Sequence, residues 1–369
     1  MKLTPLAPLS FVLALFTACA APRHQESAVE AHAASAPTPN SIVLDGAKGW
    51  LCIVGGGGTT DAMYERMFAA AGGKGAKVVI LPQASELAET GKESVETWTK
   101  HGATNVEWLD LKDPARDREK VRAASVIWFP GGVQTRLMKA LHEAGIVEIV
   151  RQRFVDGAVV GGTSAGAAVM SDVMITGDYD LGFKEPASAA QAAATTPAAK
   201  TAADSGSSAS ATSAQGSGSS AQGADAKAPV AEKLDAPARE VRARAPRAAQ
   251  SAEDEDSGLK YIRNGTNVFS TGLGLMKGAI VDQHFVRRQR FNRLLSAVLD
   301  HPELVGIGID EKTSILVHGN RFEVVGVSNV LVVDARHAQH ASTNGKEPGS
   351  IFGATVSVVR AGQSYEFGP

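Results

Sequence analysis

Residues Ala158 to Met170 read AVVGGTSAGAAVM. An apolar strand turns through Gly162-Thr163-Ser164-Ala165-Gly166 into a helix of small residues, the strand-turn-helix setting in which Gly-x-Ser-x-Gly acts as a nucleophile elbow. The flanking glycines leave room for a strained turn that lifts the hydroxyl out of the sheet, and the helix N-terminus beneath it favours developing negative charge. Ser164 is therefore the candidate nucleophile, the alternative being a serine that only caps the helix.

A serine hydroxyl at neutral pH needs a base, and the base needs an orienting acid. Among nine histidines, His24 and His32 lie in a polar leader region, His101 and His142 in polar helical surroundings, and His318, His337 and His340 in late strands and turns. His284 differs because it follows directly on an apolar strand, Ala279 to Val281, at the strand end where α/β sheets place their ligands. A second strand, Val305 to Ile309, ends likewise in Asp310-Glu311 and offers a carboxylate at the same sheet edge as Ser164 and His284, with Glu311 or Asp310 as the partner acid. A further strand end, Trp128-Phe129-Pro130-Gly131-Gly132-Val133-Gln134, supplies paired glycines; N–H groups of Gly132 and Ala165 would make an oxyanion hole, unless the glycines serve only a structural turn.

Working outward, short apolar runs each followed by a helical pattern recur: Trp50 to Val54, Lys77 to Pro82, Asn105 to Leu111, Ala124 to Pro130 and Ala158 to Gly161. This pattern predicts an α/β fold with a mostly parallel sheet and helices on both faces. The late segments around Gly306 to Ile309, Ile315 to His318, Val330 to Asp334 and Thr355 to Arg360 lack long intervening helices and predict a mixed or antiparallel edge to that sheet. The first strand stops in Gly55-Gly56-Gly57-Gly58, which invites a dinucleotide reading. That reading wants an acid at the end of the second strand, where the chain has Leu81-Pro82-Gln83. Close backbone approach to a different ligand, or simple tight turning, is the better expectation.

The whole chain has 369 residues, 44% hydrophobic and 21% charged, with only 5% aromatic, a low share for a chain folded throughout. Its formal charge of -2 creates no net field to draw nucleic acid, so no nucleic-acid partner is expected. Residues 1–20, MKLTPLAPLSFVLALFTACA, carry Lys2, an apolar run and small residues, the pattern of a secretory signal. Ala18-Cys19-Ala20 fits soluble export, while Phe16-Thr17-Ala18-Cys19 resembles a lipobox with a lipid anchor through Cys19; both readings stand. An exported protein, periplasmic, outer-membrane-anchored or extracellular, is expected. Cys52, the other cysteine, sits in an apolar strand and reads as a core residue.

Residues 21–40 read as a flexible tether, followed by one domain over 41–369. That domain is interrupted at 185–257 by an Ala/Ser-rich, low-complexity stretch with no aromatic residue, expected to be a disordered insertion. Without leader, tether and insertion roughly 250 residues remain, the size of one large domain. An Asp334-x-x-His337-x-x-His340 spacing lies in a polar turn region and is not read as a metal site. No metal or organic cofactor is expected.

The segments GGTSAGAAVMSDVMITG, FPGGVQTRL, DQHFVRRQRFNRLL and GIGIDEKTSILV resemble those of the cyanophycinase family of serine peptidases, relatives of the aspartyl dipeptidases with a class I glutamine amidotransferase-like fold. The resemblance spans about Trp50 to Leu181 and Leu259 to the last strands. It implies Ser164 as nucleophile, His284 as base and Glu311 as its acid, with Gln134, Asp282, Arg290 and Arg293 as candidates for the substrate pocket. It also implies the substrate: cyanophycin, a polyaspartate whose side chains carry arginine through isopeptide bonds, cut to β-aspartyl-arginine. Arg290 or Arg293 would clamp a carboxylate, and Asp282 or another acid would answer a guanidinium, the alternative being that Arg287, Arg288, Arg290 and Arg293 form a solvated helix face. The chain departs from the family at Val133, where a polar residue is expected, and in the insertion. An aspartyl dipeptidase, or a surface lipoprotein that binds without turnover, are the rival readings; a homodimer is the candidate assembly.

Overall fold

The computed structural model describes residues 41–180, 261–341 and 348–368. The expected signal, tether and insertion, 1–20, 21–40 and 185–257, lie outside the described residues.

The first half alternates as its pattern predicts. Strands β1 (Trp50–Val54), β2 (Val78–Ile80), β3 (Val106–Trp108), β4 (Val126–Phe129) and β5 (Val159–Thr163) lie parallel in the order β1-β5-β4-β2-β3. Helices α1 (Asp61–Ala70), α2 (Thr90–Lys100), α3 (Pro114–Arg122), α4 (Gln134–Glu143) and α5 (Val147–Val155) fall between them in the chain. The start of α3 is set locally: the Asp113 carboxylate accepts the Arg116 N–H at 3.2 Å, and Pro114 occupies the first turn, where its missing N–H costs nothing. Successive strand side chains point to opposite faces, so Leu51 and Ile53 enter one apolar cluster while Cys52 and Val54 enter another. Both faces are therefore covered, which is why the strands inside this parallel set are apolar without alternation. Burial pushes the Cys52 thiol up to about 12, so it is a core residue and not a nucleophile.

Beyond β1 the same sheet continues with antiparallel β10 (Thr313–His318), β11 (Arg321–Gly326) and β16 (Ser364–Glu366), giving eight strands. This much agrees with the expected mixed or antiparallel edge. The remaining late strands do not join it. Instead β8 (Ala279–Gln283), β9 (Val305–Ile309), β12 (Asn329–Asp334) and β15 (Thr355–Arg360) form a second sheet in the order β15-β12-β9-β8. Its β8–β9 pair is parallel, with helix α7 (Phe291–Asp300) as the connection, and its other pairs are antiparallel. Val305, Ile307 and Ile309 alternate along β9 into the same apolar cluster as Leu51 and Ile53, which docks the second sheet beside the first. A ribbon of β6 (Val173–Tyr179) and β7 (Asn267–Thr271) follows the short helix α6 (Ala165–Ala168), and β13 (Gln339–Ala341) pairs with β14 (Ser350–Phe352).

Candidate active site

Ser164 occupies the turn between β5 and α6 with φ 54° and ψ -110°, a left-handed conformation that a side-chain-bearing residue holds only when its surroundings impose it. The surroundings here are tight. Its N–H donates to Val54 O at 3.1 Å, and a Cβ on Gly162 or Gly166 would sit 2.6 Å from Gly166 O or 2.1 Å from Phe129 O. The glycines of the Gly-x-Ser-x-Gly pattern are thus required by close backbone packing on both sides of the serine.

His284 comes from the end of β8, in the second sheet, and Glu311 from the turn joining β9 of the second sheet to β10 of the first. The expectation that all three residues would share one sheet edge is corrected: two sheets meet here, and the turn after β9 crosses between them. His284 Nε2 lies 2.9 Å from Ser164 Oγ, and its Nδ1 lies 2.8 Å from Glu311 Oε1. Because a carboxylate only accepts, Nδ1 carries the proton and Nε2 is left to accept from the serine hydroxyl. The open choice between the two acids is decided for Glu311. Asp310 turns to other partners, the Arg287 N–H at 3.0 Å and the Ser328 hydroxyl at 2.7 Å.

The four-glycine turn proves to be part of this site. His284 donates its N–H to Gly55 O at 2.7 Å, and Lys312 donates its own to Gly56 O at 2.7 Å. A Cβ on Gly56 would lie 2.1 Å from His284 Cε1, and one on Gly57 would lie 2.9 Å from Glu311 Oε2. The close backbone approach is therefore to the chain's own imidazole and carboxylate, and the turn is a shelf on which both rest. Sequence reasoning missed Gly56 and Gly57 in this role. The available signal was a glycine run at the end of β1, a strand hydrogen-bonded to the one that carries Ser164.

Burial lowers the His284 pKa from 6.5 to about 4; the Arg288 charge pushes the same way, against the Glu311 hydrogen bond, which raises it. The imidazole is neutral at neutral pH, as a general base must be. Activity of the unliganded enzyme, read as kcat/KM against pH, is expected to hold its plateau well below pH 6.5 and to fall with a midpoint near the His284 value of about 4. Removing the neighbouring charge in Arg288→Gln moves that midpoint upward. An acid limb at the ordinary imidazole value, unmoved in the variant, would refute this electrostatic account. Stability follows the same sign: the unfolded chain takes up the proton first, so this contribution is full above pH 6.5 and is lost as pH falls toward about 4.

The Gly131-Gly132 turn lies against the serine, a Cβ on Gly131 falling 3.4 Å from Ser164 Cβ. Ala165 is the first residue of α6, where N–H groups have no intrahelical acceptor. Both segments expected to form the oxyanion hole thus reach the same place.

The four residues singled out for the substrate pocket fare differently. Gln134 is buried, and its amide donates to Ile175 O at 3.0 Å and Thr176 O at 2.5 Å, pinning β6 to the start of α4. Asp282 and Arg293 are buried against each other: Arg293 Nε donates to Asp282 Oδ2 at 2.9 Å, a second guanidinium nitrogen pairs with Oδ1, and the third donates to Tyr179 OH at 3.3 Å. Arg290 donates to Gln283 O at 2.7 Å and stands 3.7 Å from Asp282, with burial holding its pKa down to about 10. The expectation that Asp282 answers a substrate guanidinium, or that Arg293 clamps a carboxylate, is therefore corrected. Buried Arg293 and half-buried Arg290 already neutralise that acid, because a lone carboxylate at this depth would be left uncompensated.

The sequence profile of peptidase family S51 matches residues 51–194, a span that carries Ser164 and stops before His284. A cyanophycinase from Geminocystis herdmanii is 27% identical over 325 residues, covering 84% of this chain and 91% of its own. A second, from Trichormus variabilis, is 27% identical over 84% of this chain and 83% of its own. A crystal structure of a peptidase from an acI-B1 Actinobacterium covers 87% of this chain and 98% of its own at 17% identity and a TM-score of 0.45. Profile and relatives agree that this is a hydrolase, a serine-type peptidase. The chain is thus similar to peptidase family S51 over residues 51–194 and to cyanophycinases over most of its length.

Proposed function

We propose that the protein hydrolyses cyanophycin to β-aspartyl-arginine through an acyl-enzyme on Ser164. The observation that carries this reading is the imidazole of His284 held 2.9 Å from Ser164 Oγ and 2.8 Å from Glu311, in a chain whose relatives are cyanophycinases. Ser164 Oγ attacks the scissile carbonyl as its proton passes to Nε2, and Glu311 stabilises the imidazolium that forms. N–H groups of Gly132 and Ala165 receive the oxyanion. Collapse breaks the C–N bond, with His284 returning the proton to the leaving nitrogen. Water then repeats the sequence to release the acid and restore the serine. Arg287 and Arg288, exposed on the loop that begins with His284, offer cations to the carboxylates of such a substrate. The signal-like residues 1–20 support an exported enzyme, with anchoring through Cys19 as the lipoprotein form of that proposal.

Mass spectrometry of soluble products after incubating cyanophycin with the purified protein tests this. Release of β-aspartyl-arginine by the parent and not by Ser164→Ala is the expected result. Cleavage of small aspartyl dipeptides alone would assign a different specificity to the same site.

A further inference from the structure

Asp310 neighbours Glu311 in sequence but bonds elsewhere. Oδ1 accepts the Arg287 N–H, in the loop that starts at His284, and Oδ2 accepts the Ser328 hydroxyl, in the turn between β11 and β12. Ser328 donates its N–H to Thr313 Oγ1 at 3.0 Å, and Thr313 donates its hydroxyl to Glu311 O at 3.1 Å. Val327 adds an N–H to Lys312 O at 3.2 Å. One carboxylate therefore joins the histidine loop to the acid turn, and the acid turn to a third segment that braces it.

The need for such a tie is geometric. His284 must satisfy two distances at once, to Ser164 and to Glu311, although the three residues sit on separate turns. All three turns hold strained residues, with φ 54° at Ser164 and 52° at His284, Gln289 and Lys312, a conformation that relaxes unless it is over-determined. We propose that Asp310 is a positioning residue, whose carboxylate fixes the His284 loop on the Glu311 turn and so aims the imidazole at Ser164. It acts through His284 and Glu311 and touches no substrate.

This inference rests on the Ser164–His284–Glu311 reading, so its test uses a probe indifferent to the natural substrate. A fluorophosphonate forms a bond from Ser164 Oγ to phosphorus and expels fluoride, the serine proton passing to His284; its second-order rate reports activation of the hydroxyl. Asp310→Ala is expected to label about tenfold more slowly or worse, with its pH midpoint displaced, while Asp310→Asn, which can still accept from Arg287 and donate to Ser328, stays within about threefold. Asp310→Ala labelling at the parent rate with the parent pH dependence would overturn the proposal. Should that variant fail to fold, Ser328→Ala removes one of the two ties, and an unchanged rate and pH midpoint there would overturn it equally. If the folded parent protein takes no label at all, the triad reading falls and this inference with it.

Discussion

Replacing Ser164 by alanine is expected to lower kcat by about a million-fold while leaving KM nearly unchanged. In the proposed mechanism the hydroxyl is the atom that bonds to substrate, and neither His284 nor Glu311 can substitute for it at that position. The variant keeps the oxyanion donors and the binding surface, so a residual acceleration of roughly 10³–10⁴ over water is the floor. Folding should be little affected. The Ser164 side chain bonds to His284 alone among the described residues, and alanine meets the same positive φ with no larger side chain. Single-turnover kinetics beside a thermal melt check the prediction, and turnover within tenfold of the parent would remove Ser164 as the nucleophile.

Gly56→Ala is expected to lower kcat by about 100-fold or more without abolishing the fold. Its new methyl would lie 2.1 Å from His284 Cε1 and 2.5 Å from Nε2, well inside contact distance. The ring cannot retreat without lengthening its bonds to Ser164 or Glu311, so the base moves off the line of proton transfer. The backbone adds a cost of its own, about 1–3 kcal/mol, because φ at Gly56 is +107°. Gly58→Ala separates the two effects. Gly58 has φ +105°, but a methyl there would meet nothing within 4 Å, so that variant carries the strain without the collision. Equal losses of activity in the two variants, with equal losses of stability, would show that the shelf acts through backbone strain and not by supporting His284.

Which parts of this site can be read along the chain follows from how local each signal is. The elbow around Ser164 is contained in one short stretch, because a strand, a glycine-flanked turn and a helix start are all set by neighbours in sequence. Strands β1, β2, β4 and β5 are equally legible, since burial on both faces leaves apolar runs without alternation; β3, at the sheet edge, carries Glu107. His284 is separable from the other histidines because an apolar strand ends directly before it. Asp310 and Glu311 are not separable from each other in sequence. Both follow the same strand, and which one meets the imidazole depends on the direction of each side chain in a turn, with Lys312 in a left-handed conformation just beyond.

Apolar periodicity along this chain reports burial, and burial is enough to establish the α/β class, the parallel core and the candidate residues at its strand ends. Partnership between distant segments leaves no such periodic trace. The late segments read in sequence as one mixed or antiparallel edge, yet three of the four, β9, β12 and β15, join β8 in a second sheet, because an apolar strand looks the same whichever neighbour it pairs with. Asp282 and Arg293 read as substrate groups, yet β8 and α7 turn them toward each other, and a buried carboxylate is held by the nearest cations. The glycine run carries no label for its partner either. Only the crossing of two sheets puts the backbone of Gly56 and Gly57 against His284 and Glu311, residues more than two hundred positions away, where any side chain would take their place.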